Sequence, residues 1–157
     1  MGLSPAAVQL VTPPFGPERP LELWDAWDAG LLTVDDLHEV IPLVWPYRDA
    51  PGRELSADKW VVMLRAAGMI ISPSNLPPLP NALTLYRGAT AERQRSMSWY
   101  LEREPAEEMV PRHAPHGDAS VFVTRISASR VLAHLKRLDE EPEVLLDPAE
   151  IGEIEPD

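Results

Sequence analysis

Three places in this chain carry side chains whose types and spacing suit a polar, anionic ligand. Arg87 closes the apolar run ALTLYR and is followed at once by Gly88. A planar guanidinium at a strand end fits a phosphate or diphosphate, and an adjacent glycine lets a ligand approach the backbone. The same arginine would equally serve a surface salt bridge. Ser98 lies in SMSWYL, where strand alternation puts it with Tyr100 on one face and Met97 with Trp99 on the other. A serine hydroxyl in a buried strand requires a hydrogen-bond partner, which a ligand hydroxyl or a neighbouring carbonyl supplies. Trp99 and Tyr100 offer flat surfaces, either for stacking on a ring or for the core. Glu141 and Glu143 stand two residues apart at the entry to VLLD and point roughly the same way. Such a pair can divide labour, one carboxylate stabilising a cationic transition state and the other accepting a proton. A charge run before a strand otherwise reads as a solvated loop.

These residues depend on the elements that hold them. The first twenty residues contain five prolines and no sustained period, which predicts an extended arm over 1–19. From Pro20 the run LELWDAWDAG places Leu23, Trp24, Trp27 and Leu31 on a helical stripe that stops at Gly30. Thr33 is an N-cap with Asp36 in the capping-box position, and Leu37, Val40 and Ile41 face inward until Pro42 and Pro46 end that helix. A third helix runs from Ser56 to Gly68 with Trp60, Met63, Leu64 and Ala67 on one side. A helical subdomain over 20–71 follows.

The proline-rich stretch 72–81 marks a linker, because proline removes donors and disfavours helix in the residue before it. Beyond it the period falls from near 3.6 to 2. ALTLYRG, SMSWYL, ASVFVTRIS and EVLLD read as strands. A helix starts near Glu104-Pro105, and a second short helical turn is expected in SASRVLAHL. Residues 82–157 thus form a mostly β domain, and the whole is α+β.

Composition narrows the function classes. The 157 residues carry a net charge of −11, which opposes long-range attraction to nucleic acid or to an anionic membrane. No stretch is apolar for long enough to span a bilayer, and the amino-terminal residues lack the basic start of a secretory signal, so a cytoplasmic location is expected. With no cysteine there is no disulfide and no thiolate chemistry. His113 and His116 have HxxH spacing but no third ligand in reach, so no metal is expected. Charge is segregated in the back half: residues 87–137 hold nine basic and six acidic side chains, whereas 138–157 hold nine acidic and no basic ones. Where these segments cross one sheet, opposite charges must meet, and the positive segment suits an anionic ligand.

The order of these pieces carries a resemblance. LYRG at Leu85–Gly88, SWYL at Ser98–Leu101 followed by a helix, and EPEVLLDP at Glu141–Pro148 resemble the mono-ADP-ribosyltransferases of the arginine–serine–glutamate class. The likeness is to short bacterial and phage-encoded, toxin-like effector members, and it covers 82–154, about half the chain. It implies a split β-sandwich of the ADP-ribosyltransferase type and NAD as substrate. Arg87 would bind the diphosphate and nicotinamide-side ribose, with Gly88 beside it, and Ser98 would match the leading serine of the Ser-Thr-Ser element. Glu143 would be the catalytic glutamate, and Glu141 the upstream acid that handles an acceptor guanidinium. The chain departs from the pattern at Trp99 and Tyr100, which replace Thr-Ser in the NAD-binding element, at Met109, where phenylalanine is usual, and at Pro142.

The resemblance implies transfer of ADP-ribose to a protein side chain, arginine in particular, with loss of nicotinamide. NAD hydrolysis needs the same Glu143. In the remaining reading the chain is a non-catalytic interaction or inhibitor protein on a degenerate transferase scaffold, its acidic surface meeting a basic partner. The acceptor protein is not named by any sequence feature.

Overall fold

In the computed structural model, which describes residues 2–137 and 139–157, helices occupy the front of the chain and strands the back, an α+β architecture. The chain divides into two units, Met1–Ile70 and Ile71–Asp157. Among the described residues no helix is long and apolar enough to cross a membrane.

The first unit packs four helices, α1 Pro5–Val11, α2 Arg19–Asp28, α3 Val34–Val44 and α4 Ala57–Ala67. Thr33 and Asp36 form the reciprocal capping box that opens α3. Asp36 also accepts from the Ser4 main chain at 3.1 Å and the Ser4 hydroxyl at 2.7 Å, so one buried carboxylate ties the starts of two helices together. Burial pushes its pKa up, but hydrogen bonds from Thr33 and Ser4 outweigh that, and the net shift is downward. Ser56 caps α4, and Gly68 ends it at φ 74°, a left-handed conformation that suits glycine. Trp45 and Trp60 meet edge to face at 5.0 Å in a core with Leu37, Ile41, Met63 and Leu64.

Three local expectations are corrected in this unit. The arm over 1–19 contains α1, whose capping by Ser4 and anchoring to Asp36 compensate for weak local signals. Pro42 lies inside α3 rather than at its end, since the buried stripe through Val40, Ile41 and Val44 outweighs one lost backbone bond. Of the stripe read on α2, Leu23 is buried, but Leu31 lies beyond the helix and is 58% exposed.

Among the described residues seven strands form one open sheet: β1 Ile70–Ser72, β2 Ala82–Thr90, β3 Ser98–Tyr100, β4 Ala119–Ser127, β5 Val131–Leu135, β6 Glu143–Leu146 and β7 Ile154–Pro156. Their order is β1-β5-β6-β3-β2-β4-β7. The boundary between the units therefore falls within β1, and residues 70–71, assigned to the helical subdomain from sequence, are strand. Pro73–Asn81 has neither helix nor strand. The run VLAHL, expected as helix, is β5 after a single 3₁₀ turn at Ala128–Arg130; Val131, Leu132, Ala133 and Leu135 are all buried, which a strand between two neighbours permits.

Register sorts the side chains onto two faces. Tyr86 opposes Tyr100, Tyr100 opposes Glu143, and Ser98 opposes Leu145. Opposed and alternate residues share a face, so Tyr86, Gly88, Ser98, Tyr100 and Glu143 lie on one. The other carries Leu83, Leu85, Trp99, Phe122, Val144 and Leu146, a continuous buried cluster. Full burial of each such side chain contributes roughly 1.5–3 kcal/mol. The fifth helix, α5 Arg103–His113, packs on the Gly88 face.

Candidate active site

The site begins with how closely α5 approaches the sheet. A Cβ built on Gly88 would sit 2.0 Å from the carbonyl oxygen of Ala106 and 3.1 Å from Met109 Cβ. Glycine is therefore required here for helix packing. This corrects the expectation that Gly88 opens the backbone to a ligand: the body that comes near it is α5. Met109 belongs to the same contact.

Beside that contact the three separated residues join. The Ser98 hydroxyl donates to Glu143 Oε2, and Arg87 Nη1 donates to the Ser98 carbonyl at 3.0 Å. Arg87 Nε donates to the Arg93 carbonyl, also at 3.0 Å, which ties the 93–98 loop to β2. Ser98 and Glu143 meet because β3 and β6 are paired neighbours, with the two residues diagonal on one face. Glu143 is only 8% exposed, and a hydrogen bond to a buried carboxylate is worth about 1.5–3 kcal/mol while holding one rotamer. Arg87 lies on the opposite side of β2 from Ser98, since its cross-strand partner is Phe122 of the core cluster. It reaches the site by its long side chain bonding the main chain of Ser98.

The other sequence candidates separate. Trp99 is fully buried in the core cluster and its indole N–H donates to the Ser96 carbonyl at 2.8 Å. It therefore cannot stack on a ligand ring, a correction that follows from alternation: with Ser98 on the site face, Trp99 must face the core. Tyr100 lies on the site face, half-buried. Glu141 is exposed and precedes β6, whereas Glu143 opens that strand. The loop expected to face an acceptor, 136–140, includes Leu138, which lies outside the described residues. Among the described residues no group of three or more His, Cys, Asp or Glu side chains is placed to hold a metal.

Three contributors escaped the sequence reading. Tyr86 stands directly across from Tyr100, which no local pattern reveals because the pairing of β2 with β3 is set by tertiary structure. Arg95 donates to the carbonyls of Pro148 at 3.2 Å and Gly152 at 3.0 Å, and Arg130 to that of Glu150 at 3.1 Å. Two arginines thus hold the turn that follows β6. These bonds go to main-chain carbonyls, which no charge pattern signals; the expected meeting of basic and acidic segments is seen in the ion pair between Arg103 and Asp157.

Compared with protein-family models, with curated proteins and with solved structures, the chain matches none of them.

A buried carboxylate anchored by the hydroxyl of a residue whose main chain also holds a guanidinium has a definite chemical use. It can stabilise a cation that develops on a bound ligand while an anionic part of the same ligand meets positive charge.

Proposed function

We propose that this chain is an NAD-dependent mono-ADP-ribosyltransferase, on a fold of the ADP-ribosyltransferase type, that modifies an arginine side chain of an acceptor protein. The observation that carries this reading is the string Arg87–Ser98–Glu143, three residues far apart in sequence that are joined by hydrogen bonds.

In the reaction the bond between the ribose C1′ and the nicotinamide nitrogen breaks, and its electron pair neutralises the pyridinium of the leaving nicotinamide. The sugar becomes oxocarbenium-like. The Glu143 carboxylate, held by Ser98, stabilises that charge most when it is fully developed, which is the condition for raising the rate and not merely the affinity. Arg87 serves the diphosphate. The acceptor nitrogen then supplies its lone pair to C1′ and loses a proton, with Glu141, exposed just before β6, the base. Water in place of the acceptor gives NAD hydrolysis.

The test is incubation of the protein with labelled NAD and cell lysate, wild type against Glu143→Ala. Loss of one preorganised group of this kind costs about 100- to 1,000-fold in rate. Label on protein from wild type alone supports the transferase, and nicotinamide release without label supports hydrolysis. Equal, negligible turnover by both folded proteins refutes the enzyme.

A further inference from the structure

The site face carries two side chains that the reaction above does not use. β3 sets Tyr100 directly across from Glu143, and β2 sets Tyr86 directly across from Tyr100, so the three residues form one row across three strands. Residues so opposed have Cβ atoms about 4.5–5.5 Å apart. Both tyrosines are half-buried, unlike Trp99 between Ser98 and Tyr100, which is consumed by the core.

An aromatic face beside a carboxylate attracts a planar cation, because the ring quadrupole and the negative charge act in the same sense. Two planar cations take part in the proposed reaction, the nicotinamide ring of NAD and the acceptor guanidinium. They differ in what happens to their charge. The nicotinamide ring loses its positive charge as the glycosidic bond breaks, so a cation-attracting surface there would stabilise the ground state more than the transition state and slow the reaction. The guanidinium arrives charged and keeps that charge until the new C–N bond forms. Attraction at this surface therefore favours productive encounter for the acceptor and opposes catalysis for the leaving group.

We infer that Tyr100, flanked by Tyr86, is the specificity-determining surface that holds the guanidinium of the acceptor against Glu143. This rests on the transferase reading and assigns its acceptor subsite.

The experiment uses the full chain with NAD and agmatine, a small guanidino compound, as probe, and follows nicotinamide release with and without agmatine. In Tyr100→Leu the KM for agmatine should rise about 2- to 30-fold, the range of a cation–π contact, and by a larger factor than any change in the KM for NAD. Tyr100→Phe should keep the wild-type KM for agmatine, since the ring and not the hydroxyl is required. Because Leu at this position can disturb the sheet, fluorinated phenylalanines at position 100 provide a near-isosteric series, in which the KM for agmatine should climb with each fluorine. An agmatine KM indifferent to fluorination, or a KM for NAD that rises with it, overturns the assignment while leaving the transferase intact. Absence of nicotinamide release by the wild type overturns the transferase itself, and the assignment with it.

Discussion

Gly88→Ala is the most exacting perturbation of this site, because its effect is worked from a single distance. The new methyl would lie 2.0 Å from the Ala106 carbonyl oxygen, where Cβ contacts below 3.0 Å essentially never occur. At least about 1 Å of separation must therefore be created, and the obstacle is main chain of α5, which has no rotamer to change. Ala106 is itself fully buried, so the helix has to lift from β2 as a body. Overpacking of this kind typically costs about 1–3 kcal/mol, and an immovable carbonyl places it at the upper end or beyond. For a chain of this length roughly 3 kcal/mol corresponds to a fall of about 6–12 °C in melting temperature. Scanning calorimetry is the suitable assay, since two units need not melt together. Gly152→Ala is the control: a Cβ there meets nothing within 4 Å, and its melting temperature should stay near that of wild type. Amide exchange in α5 should accelerate in Gly88→Ala, and nicotinamide release should fall, because Ser98 lies on the face that the helix leaves. A Gly88→Ala protein that melts within 2 °C of wild type, with α5 amides equally protected, refutes the packing described.

Further outcomes follow from the same geometry. Ser98→Ala removes the donor to Glu143 and, in the proposed reaction, should lower kcat for nicotinamide release about 10- to 100-fold with little change in the KM for NAD, because there the lost interaction would serve the transition state. His134 is 3% exposed, and among the described residues its Nε2 has no hydrogen-bond partner; burial lowers its pKa. The unfolded chain then binds the proton more readily than the folded one. Stability is complete above the unfolded value of 6.5 and declines as pH falls below it, by up to about 1.4 kcal/mol per pH unit. Urea titrations between pH 7.5 and 5 should show that decline in wild type and a flatter curve in His134→Leu. Asp36→Ala strands the Thr33 main chain and both Ser4 donors, and should destabilise the first unit by about 2 kcal/mol or more in calorimetry. The lowered pKa of Asp36 adds an acid-side signature, in which its contribution is full above the unfolded value of 3.8 and is lost as pH drops through the folded one.

What could be read locally was read from short-range chemistry. Thr33 with Asp36, Ser56 and Gly68 announce helix ends because caps satisfy the backbone within a few residues of themselves. The stripe Trp60, Met63, Leu64 and Ala67 names its own buried side, and the change of period after the prolines names the strands that would carry Arg87, Ser98 and Glu143. Ser98 and Tyr100 were legible as neighbours on one face for the same reason.

Everything that makes a site of them was decided by pairing between distant strands. VLAHL is apolar enough for helix or strand, and its place beside β6 resolved the choice. α1 forms although its seven residues have weak local signals, because Asp36 lies 32 residues from the Ser4 it accepts from. No spacing in YRG reveals that α5 fills the room a side chain at Gly88 would need, nor that Trp99 is committed to the core. Tyr86, Tyr100 and Glu143 share a row only because three strands align in one particular register, and a slip of one residue along any of them would turn its side chains to the opposite face. Residue types and their order are properties of the chain alone, whereas convergence is a property of the register, which long-range hydrophobic packing sets.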